Sequence, residues 1–332
     1  MNTSRLVAHF GSLRTMLVLT ALLAAVVLLR PERAFLVPAI GALTACLVVA
    51  LVAHPRLRRQ WPLLVAHLAL LALVLLAGAG RLLALDGHFE LTQGVPFDGT
   101  LLGREAGAWH ADRLRSLGFR HEGFEIDYAT GRKRGATRNT VAWVDAEGRP
   151  RQAVIGDHRP LVLEGHRFYT SPNKGFAPIL RWTPAGGEPI DGAVHLPSFP
   201  SWELRQWREW TPPGEHAAVW TQLRFDETLI DPAAPSRFRM PRSPRMVVVA
   251  GSRRAELAPG EAVELPGGSL RFVELRTWMG YRVAYDPTLP ALLVVSLVAA
   301  LALALHYALA FRGPHTKAAA PASRLHPVPA DG

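Results

Sequence analysis

Two histidines lie inside apolar segments of the chain, where an ionisable side chain is costly. His67 is the single titratable residue of WPLLVAHLALLALVLLAGAG at 61–80, and His306 lies in LPALLVVSLVAALALALHYALAF at 289–311. An imidazole in hydrocarbon is expected to face neighbouring helices and to have a partner there. The neutral ring is also a good iron ligand, so the chemistry open to both residues is metal ligation or a hydrogen bond between helices.

The elements that must position these histidines are apolar helices. Four segments are long enough to cross a bilayer: roughly 11–30, 34–53, 61–80 and 289–311. A span takes about 20 residues, because each rises about 1.5 Å and the hydrocarbon layer is about 30 Å thick. The segment 11–30 runs through RPER into the next and lacks a convincing small-residue cleavage site, so we interpret it as retained rather than as a signal peptide. The sequence predicts an integral membrane protein with three spans in 1–80 and a fourth in 287–311.

Basic residues in the short loops predict the orientation. One side of the predicted membrane carries Arg5, Arg14, Arg56, Arg58, Arg59, Arg312, Lys317 and Arg324, whereas only Arg30, Arg33 and Arg81 flank the other side. The positive-inside rule places both termini in the cytoplasm. Residues 81–286 are then extracytoplasmic, as expected for a multi-pass protein of a bacterial plasma (inner) membrane. The tail 312–332 is expected to be a disordered cytoplasmic segment.

Charge and cysteine content exclude several function classes. The net charge of +10 is spread along the chain, and nucleic acid is not expected as the partner of an exported domain. The cytoplasmic arginines are explained by topology and by the anionic headgroups of the lipid bilayer. Cys46 is the only cysteine and lies in the second apolar segment. The chain alone therefore has no disulfide, no CxxC thiol pair and no CxxCH haem-attachment site.

The exported region is expected to be mainly β. Short runs rich in Val, Ile, Tyr and Phe recur between turn signals, for example NTVAWVDAEGRP, LVLEGHRFYTS and PRMVVVAGS. This spacing is typical of an antiparallel, sandwich-like domain or an open barrel. Helices are expected only at 109–117 and 201–210. The second of these, in PSFPSWELRQWREWTPPG, is either an amphipathic helix at the membrane face or a set of tryptophans packed under the sheet edge.

Four stretches carry a resemblance to a known family. They are FGSLRTMLVLTALLA at 10–24, VAHLALLALVLLAGA at 65–79, RPLVLEGHRFYTSPNKG at 159–175 and LRFVELRTWMGYRVAYDPTLP at 270–290. In this order they resemble the opening span, the third span, an exported strand pair and the entry to the last span of the ResB (CcsB) family of cytochrome c biogenesis proteins. The resemblance covers most of the chain.

The resemblance implies a subunit of the membrane system that delivers haem to c-type cytochromes. Such a subunit works with a ResC or CcsA-type membrane partner and supports covalent attachment of haem to apocytochrome c outside the cytoplasm. In the family, the third-span histidine is regarded as one axial ligand of a membrane-embedded haem b, and the partner supplies the other ligand. By resemblance that role falls on His67.

His306 adds a hypothesis that the family pattern does not require. His67 follows Trp61 by six residues and His306 precedes Arg312 by six, so both are expected about 9 Å inside the cytoplasmic boundary. They would then face one haem pocket, as a pair of ligands or with His306 as a supporting group. The alternative is a histidine that faces lipid or a neighbouring helix without touching haem.

The exported region carries no evident catalytic constellation. No paired carboxylates or Ser/His/Asp arrangement stands out, so whether the chain is itself an enzyme stays open. The exported histidines lack zinc-like spacing, and each is expected at an exposed or strand-edge position: His88, His110, His121, His158, His166, His195 and His216. Two other functions remain open: a b-type membrane cytochrome that carries electrons, and a haem-free membrane-anchored scaffold.

Overall fold

The structure is a computed structural model that describes residues 36–53 and 60–311, together with Val18 and Ala21. The chain divides into two compact units. One comprises Met1–Arg81 and Thr288–Gly332, and the other, here called the β unit, comprises Leu82–Pro287. Most of the first predicted span, the loop at 54–59 and the predicted tail at 312–332 lie outside the described residues.

The described part of the chain contains three α-helices: α1 (Leu36–Ala53), α2 (Trp61–Leu83) and α3 (Leu289–Phe311). Helices α2 and α3 have 23 residues each and a mean hydropathy of 2.4, so both are long and apolar enough to cross a membrane. Helix α1 is shorter, with 18 residues. The expectation of helices long and apolar enough to cross a membrane is thus confirmed for two segments, and four spans are not established.

The β unit contains fifteen strands in the described residues, and all of their ladders are antiparallel. The strands are β1 (Leu85–Thr92), β2 (Gly103–Ala106), β3 (Phe119–Ala129), β4 (Lys133–Val144), β5 (Pro150–Ile155), β6 (Leu161–Leu163), β7 (His166–Pro184), β8 (Ile190–Ala193), β9 (Trp207–Trp210), β10 (Val219–Arg224), β11 (Ser236–Arg237), β12 (Arg245–Ala250), β13 (Arg253–Leu257), β14 (Ala262–Leu265) and β15 (Gly268–Tyr285). The mainly-β prediction is confirmed.

The strands form three sheets rather than the two of a simple sandwich. The largest has seven strands in the order β2-β1-β15-β7-β6, with β14 beside β15 and β8 beside β7. Two four-stranded sheets have the orders β13-β12-β10-β9 and β11-β3-β4-β5. Strands β7 and β15 have 19 and 18 residues and run the length of the large sheet. They pair with each other and are the central strands of this sheet.

Two apolar cores hold the three sheets together. The large core contains side chains from all three sheets, including Ile126, Phe176, Leu180, Trp182, Val219, Met246 and Phe272. The small core joins the seven-stranded sheet to the β3–β4–β5 sheet through Leu85, Phe89, Phe119, Val141, Phe168, Tyr281 and Val283. Burial of apolar area is the main favourable term in folding, and each side chain of this size contributes about 1.5–3 kcal/mol when fully buried.

The two predicted helices of the exported region are wrong. Within 109–117 only Leu114–Ser116 is helical, as a single 3₁₀ turn. This short turn is enough to place both Leu114 and Leu117 in the small core. Within 201–210 a 3₁₀ turn covers Glu203–Arg205, and Trp207–Trp210 then forms β9, paired with β10. The ladder to β10 overrides the helical spacing of the tryptophans.

Candidate functional site

His67 lies half-buried on α2, with Nδ1 2.8 Å from the carbonyl oxygen of Leu63, one turn earlier. A carbonyl oxygen only accepts hydrogen bonds, so Nδ1 carries the hydrogen and donates it. The remaining nitrogen, Nε2, keeps its lone pair. Ligating histidines are usually held in this way, with one ring nitrogen donating to a carbonyl and the other free for the metal.

His306 lies half-buried on α3, with its ring centre 5.5 Å from that of Tyr307. In the described part of the chain, no hydrogen bond or ring contact joins His306 to His67. The hypothesis that the two histidines share one haem pocket therefore stays a prediction.

Among the described residues of the helices, His67 has the chemistry of a haem-iron ligand. His67 offers a half-buried imidazole with a fixed tautomer on an apolar helix, which suits a ligand for a large apolar macrocycle. Among the described residues there is no group of three or more His, Cys, Asp or Glu side chains that could hold a metal ion. A haem iron held by His67 would take any further protein ligand from another residue or another chain.

In the β unit, the stretches 159–175 and 270–290 pair with each other as β7 and β15. Trp278 faces Gly175 in this ladder, and its Nε1 donates a hydrogen bond of 3.0 Å to the carbonyl oxygen of Leu196. Further along, β7 has additional residues at 171–173 opposite Gly280. A Cβ at Gly280 would lie 3.1 Å from the Asn173 carbonyl oxygen and closer still to Ser171 Oγ, so glycine lets this bulge close onto β15.

The bulge borders a cavity of about 210 Å³ on the outer face of the large sheet. Polar side chains contribute to its lining, because alternate residues of β1 point away from the small core. The side chains that line it include Asp86, His88, Glu90, Ser171, Asn173 and Arg282. Arg282 also forms an ion pair with Asp86 across the strands.

The ring of His195 contacts the carboxylate of Glu90, a residue of the cavity lining, as well as the Thr92 hydroxyl and the Trp278 ring. Its Nδ1 is 2.8 Å from Glu90 Oε2 and its Nε2 is 2.7 Å from Thr92 Oγ1. Its ring stacks on Trp278, with centres 5.2 Å apart and planes within 10°. The carboxylate makes Nδ1 the donor and leaves Nε2 to accept from the threonine hydroxyl, so the ring is fixed in both orientation and tautomer.

His121 is fully buried between the large sheet and the β3–β4–β5 sheet. Asn139 Nδ2 lies 2.7 Å from its Nδ1, and Tyr281 donates its hydroxyl to Asn139 Oδ1 at 2.6 Å. On the other side, His121 Nε2 is 3.5 Å from Thr277 Oγ1. Burial lowers the pKa of His121 to about 3, so the ring is neutral and joins the sheets as part of a polar network.

Lys174 is buried on the inner side of β7, directly before Gly175. Its ammonium group donates to the carbonyl oxygen of Pro172 at 3.2 Å and lies 5.8 Å from the ring centre of Tyr128. Burial lowers the pKa of Lys174 to about 8, the charge of Arg134 adds to this, and Asp157 opposes it. Few groups therefore compensate the buried charge.

The expectation of exposed or strand-edge histidines is wrong for His121 and His166, which are 0% and 3% exposed. His166 opens β7, where it alternates with the buried Phe168 and Thr170. That alternation is visible in HRFYT and could have indicated an inward position. Phe119, Arg120 and His121 alternate in the same way. The hydrogen-bond partners of His121 could not be predicted, because Asn139 and Thr277 lie 18 and 156 residues away.

The chain was also compared with known proteins. No protein-family model matches it, and no curated protein sequence is significantly similar to it.

Proposed function

We propose that this chain is a ResB-like subunit of the cytochrome c maturation complex. It holds haem b in the membrane and supports its transfer to apocytochrome c, together with a ResC or CcsA-type partner. In this proposal the chain has four membrane spans, both termini lie in the cytoplasm, and the β unit is extracytoplasmic. The proposal rests on the four stretches that resemble the ResB family and on the arginine distribution of the loops.

The observation that carries the proposal is the hydrogen bond from His67 to Leu63. It fixes Nδ1 as the donor and presents the lone pair of Nε2 from an apolar helix. His67 is half-buried, so the free Nε2 is not enclosed by the described residues and is open to a ligand. An iron ligand needs one nitrogen held and the other free, which is the arrangement found.

The β unit supplies a rigid platform in this proposal. The two long strands β7 and β15 overlap the exported stretches that resemble the family, and their ladder brings Lys174, Gly175, Trp278 and Gly280 together. Such long paired strands, buried on the inner face by two cores, hold a docking surface in fixed geometry. The β unit then orients the partner and the apocytochrome.

Each group has a limited chemical task. Haem supplies the reduced iron and the vinyl groups to which the cysteines of an apocytochrome add. His67 would bind and orient the iron, and the apolar side chains of α2 would exclude water from it. No residue of this chain is required as a nucleophile or general acid, since the attacking thiols belong to the apocytochrome.

The test is His67→Ala in the full chain, co-expressed with its partner. We expect haem in the purified complex to fall at least about tenfold, the loss typical when an iron site loses an orienting or ligating group. Staining for covalently bound haem should show the same loss in c-type cytochromes. Leu68→Ala is the matched control, because Leu68 is an exposed neighbour on the same helix. Unchanged pigment and unchanged haem attachment in His67→Ala would contradict the proposal.

His306→Ala tests the second ligand. A changed axial-ligand spectrum with haem retained would place His306 in the pocket, and an unchanged spectrum excludes it as a ligand. A strain that lacks the chain but matures its c-type cytochromes normally would instead favour the electron-carrying cytochrome.

A further inference from the structure

A second histidine pair lies in the β unit, close to where the chain enters it from α2 and leaves it toward α3. The rings of His110 and His166 lie edge to face, with centres 6.1 Å apart. Tyr285, the last residue of β15, contacts both rings and stacks on His166 at 4.3 Å. The three side chains come from a loop, from the start of β7 and from the end of β15, so the pair exists only in the folded β unit.

His110 is held by one ring nitrogen only. Its Nδ1 donates to the carbonyl oxygen of Leu83 at 2.9 Å, while its Nε2 is buried without a hydrogen bond. The loop that carries it also caps the end of α2, because the backbone N–H of Trp109 donates to the Leu82 carbonyl oxygen. This loop fixes the tautomer of His110 and leaves the lone pair of Nε2 unused.

His166 is 3% exposed, and neither of its ring nitrogens makes a hydrogen bond to any residue that the structure describes. The backbone at Glu164 and Leu163 lies near the ring, but not at hydrogen-bonding geometry. A buried polar group without a partner costs about 1–3 kcal/mol. Burial also lowers the pKa of His166, which keeps the ring neutral and its lone pair available.

The turn before His166 restricts where its ring lies. Glu164 and Gly165 form a two-residue hairpin turn with φ values of 45° and 81°. Positive φ at both positions is typical of the tight turns that match the twist of paired strands, and it is unfavourable for the non-glycine residue. With Tyr285 stacked on the ring, this turn holds His166 against His110.

We propose that His110 and His166 form a binding site for a transition-metal ion of the copper and zinc class, which takes imidazole nitrogen as ligand. Metal–nitrogen bonds of about 2.0–2.1 Å place the centres of two ligating rings about 5 Å apart in tetrahedral geometry and about 6.4 Å apart in linear geometry. The observed 6.1 Å lies between these limits. The ion uses Nε2 of His110 and the unprotonated ring nitrogen of His166, with Tyr285 as an aromatic wall and water or an exogenous ligand completing the coordination.

The test uses the full chain in detergent micelles, loaded with one equivalent of Cu²⁺ and washed with glycine to remove weakly held copper. Electron paramagnetic resonance then counts the nitrogen ligands through their superhyperfine splitting. We expect the wild-type chain to retain one copper with two nitrogen ligands. His110→Gln and His166→Gln should each lower the affinity at least about tenfold and remove the two-nitrogen signal.

His88→Gln is the matched control, because His88 is an exposed histidine on the neighbouring strand β1. It should leave both the affinity and the signal unchanged. His110→Gln keeps the test valid if the fully buried His166 variant does not fold, and circular dichroism without metal checks the fold of each variant. Absence of the two-nitrogen signal in the wild type, or its persistence in His110→Gln, would overturn the proposal.

Discussion

The indole of Trp278 and the backbone of Gly175 are matched across strands β15 and β7. A Cβ on Gly175 would lie 2.9 Å from Trp278 Nε1 and 3.2 Å from the carbonyl oxygen of Pro197. The missing side chain is therefore what allows the indole to reach the Leu196 carbonyl oxygen and to support the ring of His195. The two residues lie in the stretches 159–175 and 270–290, and the ladder joins these stretches into one structural feature.

Gly175→Ala is expected to lower the free energy of unfolding of the β unit by about 2 kcal/mol, because the new methyl group overpacks the site and displaces the indole. Denaturant titration followed by tryptophan fluorescence measures this, since eight of the nine tryptophans lie in the β unit. Gly192→Ala on β8 is the control, because a Cβ there meets nothing within 4 Å. Equal stability of the two variants would refute the packing argument.

Glu90 and Thr92 are expected to stabilise the fold by holding His195 on Trp278. Glu90→Ala should cost about 1–2 kcal/mol, and Glu90→Gln should cost less because its amide oxygen still accepts the Nδ1 hydrogen. Thermal unfolding in detergent checks both variants. Glu209→Ala, at an exposed position of β9, should change the stability by no more than about 0.5 kcal/mol. A Glu90→Ala loss no larger than that of Glu209→Ala would count against the role of this contact.

Because His121 is buried as a neutral ring, the free energy of unfolding is expected to decrease in acid. Its pKa is about 3 in the folded chain and near 6.5 when exposed, so the unfolded state binds more protons between these values. The stability contributed by the neutral ring is therefore present above pH 6.5 and is lost as the pH falls, by about 2 kcal/mol at pH 5. His121→Gln should lose less stability than the wild type between pH 7 and pH 5. Denaturant titrations at both pH values give the difference, and parallel pH profiles would contradict it.

The two long apolar helices could be predicted from sequence because they depend on one simple property, a long apolar run. Helix α2 was expected at 61–80 and extends over Trp61–Leu83, while α3 was expected at 289–311 and is found at Leu289–Phe311. Many β strands were likewise visible from alternation and turn signals, as at β7 and β12. These features are local, so nearby residues suffice to determine them.

The features that sequence reasoning missed depend on distant partners. Strand β9 forms because Trp207 and Trp210 pair with β10, which local spacing does not indicate. The position of His195 depends on Glu90, 105 residues earlier in the chain. The separate sheet β11-β3-β4-β5 and the hydrogen-bond partners of His121 likewise depend on residues that are far apart in the sequence. These residues come together only through the order of the strands in the sheets, and local sequence patterns do not reveal that order.

Lys174 is expected to destabilise the fold at neutral pH, because its charge is buried. Among the described residues, its ammonium group donates a hydrogen bond only to a backbone carbonyl oxygen. Its pKa is about 8 in the folded chain, below the 10.5 of an exposed lysine, so folding at neutral pH requires burial of a poorly compensated charge. Lys174→Met keeps the apolar stem and removes the charge. It should raise the free energy of unfolding at pH 7 by about 1–2 kcal/mol.

The pH dependence separates this effect from ordinary packing. Between pH 8 and pH 10.5 the unfolded chain holds the lysine proton more tightly than the folded chain, so wild-type stability rises with pH in this window. The advantage of Lys174→Met should therefore shrink as the pH increases through the same window. Lys133→Met, at the exposed start of β4, should show neither the gain nor the pH dependence. A gain for Lys174→Met that stays constant from pH 7 to pH 10 would mean that the methionine packs better, and that the buried charge costs the fold nothing.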